Sequence, residues 1–155
     1  MAKSSFDLFS KKLSDMPEKL KSDLENKVLF MSEVVSGDAR AACPVEHGNL
    51  QNSIEGFTAK DKDTITGGAV TVNEYAAYVE FGTGPTGTST GGHPLDSERG
   101  IVRKTEPWLA NIPDVGPRYV HGQKANPYMY TAMKQNEKEI TESFGETLKE
   151  VIKSG

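Results

Sequence analysis

From Phe6 to Val35 the apolar residues recur in steps of three and four: Phe6, Phe9, Leu13, Met16, Leu20, Leu24, Val28, Met31 and Val35. That spacing lays a single stripe along a helix. Pro17 interrupts it only mildly, because proline is tolerated in a first turn and Ser14 and Asp15 before it are good caps. The pattern predicts a short leading helix to about Ser14 and a long helix from about Asp15 to Ala42. At 1.5 Å per residue the second would run roughly 40 Å. Pro44 ends it, since the residue before a proline disfavours the helical region.

Beyond Ser53 the period changes. Ser53–Ala59 and Thr64–Asn73 carry β-branched residues in partial alternation, and Lys60-Asp61-Lys62-Asp63 between them reads as a hairpin turn. Gly67-Gly68 inside the second run signals a bulge or a close backbone approach. Glu74–Phe81 fits either a helical turn or a strand. From Gly82 to about Thr105 the chain is rich in Gly, Thr, Ser and Pro and has no period, so it reads as a long, mobile loop. Strand-like pieces follow around Trp108–Ile112 and Arg118–His121. Pro127–Ile152 closes with a second helical stripe of Met129, Met133, Ile140, Phe144 and Leu148.

The expected fold is α+β: one antiparallel sheet of about four strands, with long N- and C-terminal helices packed on or beside it. The organisation reads as a single domain, residues 1–155. It divides into a helical segment (1–43), a β-rich centre (44–126, mobile loop about 82–105) and a C-terminal helix (127–153). A hydrophobic fraction of 35% and a mean hydropathy of −0.53 are low for a compact monomer. Long solvated segments explain this, and so do helices that finish their burial against other subunits.

The net charge of −4 and scattered basic pairs, such as Lys11-Lys12 and Arg103-Lys104, give no groove for gripping phosphates. The single Cys43 rules out an intramolecular disulfide. No apolar stretch approaches the ~20 residues of a membrane span, and none resembles a signal peptide. A cytosolic place of synthesis is expected.

Three motifs invite chemistry and each lacks its context. Gly82, Gly84 and Gly87 spell G-x-G-x-x-G, but Thr88–Pro94 after them is not the helix that a pyrophosphate site requires. Gly87-Thr88-Ser89-Thr90-Gly91 matches a nucleophile elbow without the strand and helix that hold one. A serine hydrolase using Ser89 and one of the histidines is therefore a low alternative. His47, His93 and His121 are scattered without ligand spacing. Glu80, set in the apolar run Tyr78–Phe81, has no placed partner for acid–base work and reads as half of a buried or interfacial ion pair. No catalytic residue, cofactor or metal is expected.

The order of landmarks carries more. Pro44-Val45-Glu46-His47-Gly48-Asn49-Leu50-Gln51-Asn52-Ser53-Ile54 leaves the long helix. Glu74-Tyr75-Ala76-Ala77-Tyr78-Val79-Glu80-Phe81-Gly82-Thr83-Gly84 follows, and Gly122-Gln123-Lys124-Ala125-Asn126-Pro127-Tyr128-Met129 leads into the last helix. Over about Ala41–Ala132 this order resembles the siphophage neck or tail-completion family. Its pattern is P-V-D-T-G-x-L-x-x-S-I, then E-Y-A-x-Y-V-E-F-G-T, then G-x-x-A-x-P-F. Glu46-His47 replace the usual Asp-Thr, Tyr128 replaces Phe, and the insertion Thr86–Gly100 is peculiar to this chain.

The resemblance implies a non-catalytic virion protein that joins head and tail. It implies a homo-oligomeric, six-fold ring between a portal-side connector and the tail terminator or tail tube. DNA would pass through the lumen without specific binding. Tyr75, Tyr78, Phe81, Trp108 and Tyr128 supply large apolar areas and, with Glu80, are the interface candidates. For Tyr75 and Phe81 an ordinary core role is nearly as good a reading. A generic interaction module that never enters a virion is the other alternative.

Overall fold

The computed structural model describes residues 18–45, 48–62 and 64–154. The short leading helix, the caps before Pro17 and the Glu46-His47 variation lie outside them. The long helix, α1, spans Glu18–Ala42. A four-residue turn, α2, follows at Asn49–Asn52, and the backbone enters it through Gly48 at φ 68°, a left-handed geometry that suits glycine. Gln51 Nε2 donates to the Arg40 carbonyl at 2.9 Å and so satisfies one of the free carbonyls of the α1 C-terminus.

Strands β1 (Ile54–Asp61) and β2 (Thr64–Thr71) form the expected antiparallel hairpin, paired from Ile54↔Thr71 to Asp61↔Thr64 without a bulge. One face of the hairpin lies on α1. Gly67 makes that approach possible: a Cβ there would stand 2.3 Å from Val28 Cγ1 and 2.4 Å from Ser32 Oγ. Gly67 thus serves close packing, whereas a Cβ on Gly68 would meet only the Phe57 ring at ordinary contact distance. Arg40 Nε reaches the Ile54 carbonyl at 2.7 Å, and Lys60 pairs with Glu25 at 3.3 Å. The hairpin tip therefore points toward the N-terminal end of α1.

Helices α3 (Ala76–Phe81), α4 (Gly84–Ser89) and α5 (Asp96–Arg99) follow, then strands β3 (Trp108–Ile112) and β4 (Gly116–Val120). The chain closes with α6, Tyr128–Ser154. Among the described residues no helix is long and apolar enough to cross a membrane.

Two expectations are corrected. The four strands do not share one sheet: β1–β2 and β3–β4 are separate two-stranded sheets. The first hairpin is backed by α1, and the second lies beyond a chain segment occupied by α3–α5. Pro117 within β4 further limits ladder growth, because it has no N–H to donate. The segment Gly82–Thr105, read as irregular, holds two short helical turns.

Helices α1 and α6 run antiparallel. Asn136 Nδ2 donates to Asp38 Oδ2 at 2.7 Å, and Lys27 Nζ donates to Thr147 Oγ1 at 3.0 Å. Eleven residues forward on one helix thus match eleven residues back on the other. The core lies between α1, the first hairpin and the start of α6, and includes Val35, Ala39, Cys43, Leu50, Ile54, Ala76, Tyr128 and Ala132. The α1 members fall on the predicted stripe or a turn along it. Leu29 and Phe30, off the stripe, are exposed.

Candidate interaction surface

Helix α3 has two faces. Ala76 and Glu80, four apart, point inward and are buried, with Val79 half-buried beside them. Tyr75, Tyr78 and Phe81, three apart, line one wall of a cleft of about 850 Å³. Ile101–Lys104, Trp108, Gly82–Gly84 and Gln123 are also among its lining residues. The Lys104 ammonium sits 4.9 Å from the Trp108 ring centroid, within cation–π range. Tyr78 is 60% exposed and Val102 is 92% exposed, so the cleft opens onto a broad apolar rim.

Beside it stands the β3–β4 hairpin. Its register places Leu109 opposite Tyr119. Both side chains lie on the outward face, 60% and 71% exposed, with Pro117 beside them. Exposed apolar residues that are contiguous mark contact surfaces more often than scattered ones do.

A buried polar chain fixes the cleft walls. The Glu80 carboxylate accepts the Met129 N–H at 2.9 Å and the Tyr130 N–H at 3.0 Å, and so caps the N-terminus of α6. It also meets His93 Nε2 at 3.0 Å. His93 Nδ1 lies 3.0 Å from the Leu95 N–H, which donates to it. Nδ1 is thereby an acceptor, so the proton sits on Nε2 and points at Glu80. The imidazole ring packs against Phe81 (4.5 Å) and Tyr130 (5.4 Å).

The chain continues through the backbone. His93 N–H donates to Asp96 Oδ2 at 2.9 Å, and Asp96 holds Arg103 through two contacts of 2.7 Å. Arg103 Nε donates to the Phe81 carbonyl at 3.1 Å, and its terminal nitrogen donates to the same oxygen. The hydrogen bond from the Arg103 guanidinium, aided by the His93 N–H and the positive charge of Arg103, holds the Asp96 carboxyl below its usual range against its partial burial. The C-terminal carbonyl of α3, the start of α6 and the Gly/Thr/Ser-rich segment are thus tied together.

The predicted site residues separate. Tyr75, Tyr78, Phe81 and Trp108 come together at the cleft. Glu80 is buried behind it, hydrogen-bonded to His93, and it caps α6 as well. Tyr128 is in the core, 1% exposed. Burial, then the nearby Cys43 and Glu80, raises its phenol pKa. Burial also raises the Cys43 thiol, which keeps it protonated and unreactive.

Sequence reasoning missed Val102, Leu109, Tyr119 and the Asp96–Arg103 clasp. A weak signal existed for the first three, an apolar residue beside charges or alternating within a short hairpin.

The tempting motifs serve packing. A Cβ on Gly82 would stand 2.6 Å from the Ala125 nitrogen, and one on Gly84 2.7 Å from the His121 carbonyl oxygen. These glycines let the chain lie against residues 121–125, where Thr83 bridges Gln123. Ser89 Oγ donates to the Thr86 carbonyl at 3.3 Å, and His93 has both ring nitrogens engaged elsewhere. That arrangement gives Ser89 no base from the nearest histidine in sequence.

In comparison with known proteins, residues 7–82 fit the family model described as "Bacteriophage HK97-gp10, putative tail-component". No curated protein and no solved structure matches the chain. The matched stretch covers α1, the first hairpin and α3, and so holds the first landmark block and the second as far as Gly82. The third block, from Gly122, and the cleft residues from Thr83 onward lie beyond it.

Proposed function

We propose a function from one premise: residues 7–82 of this chain belong to the HK97-gp10-like family, a family of phage tail components. The protein is a non-catalytic structural component of a tailed phage virion. It acts at the neck as a tail-completion piece, in a six-fold ring between the portal-side connector and the tail terminator or tube. DNA passes through the lumen of the ring without specific contacts, in keeping with a net charge of −4.

The observation that carries this reading is a pair of exposed apolar surfaces, the cleft and the outward face of the β3–β4 hairpin. Tyr78 and Val102 at the cleft, and Leu109 and Tyr119 on the hairpin face turned away from Trp108, leave large apolar area in water. A cleft on one patch and a protruding hairpin on another suit a heterologous contact, and such a contact closes into a ring when its rotation permits. Docking is the mechanism, with the free energy coming from burial of this surface.

Two measurements test the reading. Mass spectrometry of purified particles should find the chain, which a module that stays outside the virion would not allow. Light scattering should show a monomer or weak oligomer at low concentration, with closure on the assembled virus part. A tight two-fold dimer would contradict it.

A further inference from the structure

The apolar cleft and the apolar run Phe6, Phe9, Leu13 and Met16 belong to one chain but to opposite ends of α1. We propose that the cleft of each copy receives the residue 6–16 run of a neighbouring copy. This deepens the ring reading and rests on it.

The geometry begins with the length of α1. Its 25 residues span about 37 Å. The cleft lies at its C-terminal end, because Ala76, next to the cleft residues Tyr75 and Ala77, packs in one cluster with Cys43 and Tyr128. Residues 1–17 enter α1 at the other end, at Glu18.

The run's spacing of three, four and three predicts a helix, and eleven residues of helix measure about 16 Å. Folded back along α1 from residue 17, such a helix covers less than half the distance to its own cleft. It can reach the cleft of a copy placed head to tail.

The chemistry fits an amphipathic helix in a groove, where anchors at i, i+3 and i+7 enter an apolar trough. Two phenyl rings, a leucine and a methionine are the anchors. Tyr75, Tyr78, Phe81, Ile101, Val102 and Trp108 are the trough, and its volume of about 850 Å³ accommodates several side chains. Methionine and aromatic residues also make favourable contacts with each other. A head-to-tail insertion is heterologous and repeats around a ring, as a two-fold exchange does not.

The test is oxidative cross-linking of the full chain carrying Phe9→Cys and Val102→Cys. The native Cys43 is buried and stays out of the reaction. On purified protein at high concentration, and on purified particles that carry the variant, non-reducing gels should show a ladder of multimers. Neither single variant should give that ladder, and adding Tyr78→Glu should abolish it while thermal stability is kept.

A compact product of monomer mass, formed within one chain, would overturn the proposal, and so would the absence of a ladder in both preparations. An oligomer of ring mass without the ladder would sink this inference and leave the ring standing. A chain that never multimerises, in solution or on particles, would sink both.

Discussion

Glu80 Oε1 meets His93 Nε2 at 3.0 Å in the interior, and the same carboxylate accepts two backbone N–H groups of α6. A lone acid within an apolar run thus has a structural role, fastening the helix that carries the cleft to the helix that backs the core.

Replacing that acid should be costly. Glu80→Ala leaves the buried His93 ring and two partly buried N–H groups of α6 without their acceptor, which costs about 3 kcal/mol. Urea unfolding should show the midpoint falling with an unchanged slope. An unaltered midpoint would mean that water or another group replaces the carboxylate.

The Asp96–Arg103 clasp should respond to acid in a defined direction. The folded-state pKa of Asp96 is lowered, chiefly by its hydrogen bond to Arg103. Its stabilising contribution is therefore complete above the ordinary carboxyl pKa of about 4. It is lost as the pH falls from there through the lowered value. Asp96→Asn should be less stable than the native chain near neutrality, and the gap should close as acid is added. A gap independent of pH would contradict the assignment.

Two glycines should behave oppositely. Gly67→Ala places a Cβ 2.3 Å from Val28 Cγ1 and should destabilise by about 2 kcal/mol as α1 is pushed from the hairpin. Gly37, within α1, has nothing within 4 Å of a built Cβ, so Gly37→Ala should stabilise by about 0.5–1 kcal/mol. Thermal melts of the two variants check the pair.

Leu109→Lys and Tyr119→Ser alter a face that is largely in water, so the change in stability should stay within about 0.5 kcal/mol. Both should nevertheless reduce infectious particle yield. A yield equal to the native one would remove the second hairpin from the proposed contact surface.

The elements governed by a simple period were legible. The C-terminal bound of α1 at Ala42, the first hairpin with its turn near Lys62, and α6 stand within about two residues of their expected bounds, while the expected start of α1 at Asp15 lies outside the described residues. The Gly82–Thr105 segment was not. Its order comes from contacts distant in sequence, such as Arg103 to the Phe81 carbonyl and Glu80 to the start of α6, which no local window contains. The sheet count failed for the same reason, since whether two hairpins join depends on what lies between them.

Of the candidate contact residues, four aromatics converge because α3 turns out helical, placing Tyr75, Tyr78 and Phe81 on one face. Tyr128 carries the same side-chain chemistry but falls at the first turn of α6, facing the core. Residue type alone does not separate the two fates; the direction of the element does.

The central claim, a structural piece that joins head to tail, is tested most directly by electron micrographs of phage grown without this chain. Full heads and separate, unattached tails are the predicted result, with joined particles restored when the chain is supplied from a second source. Complete, infectious particles in its absence would contradict the account.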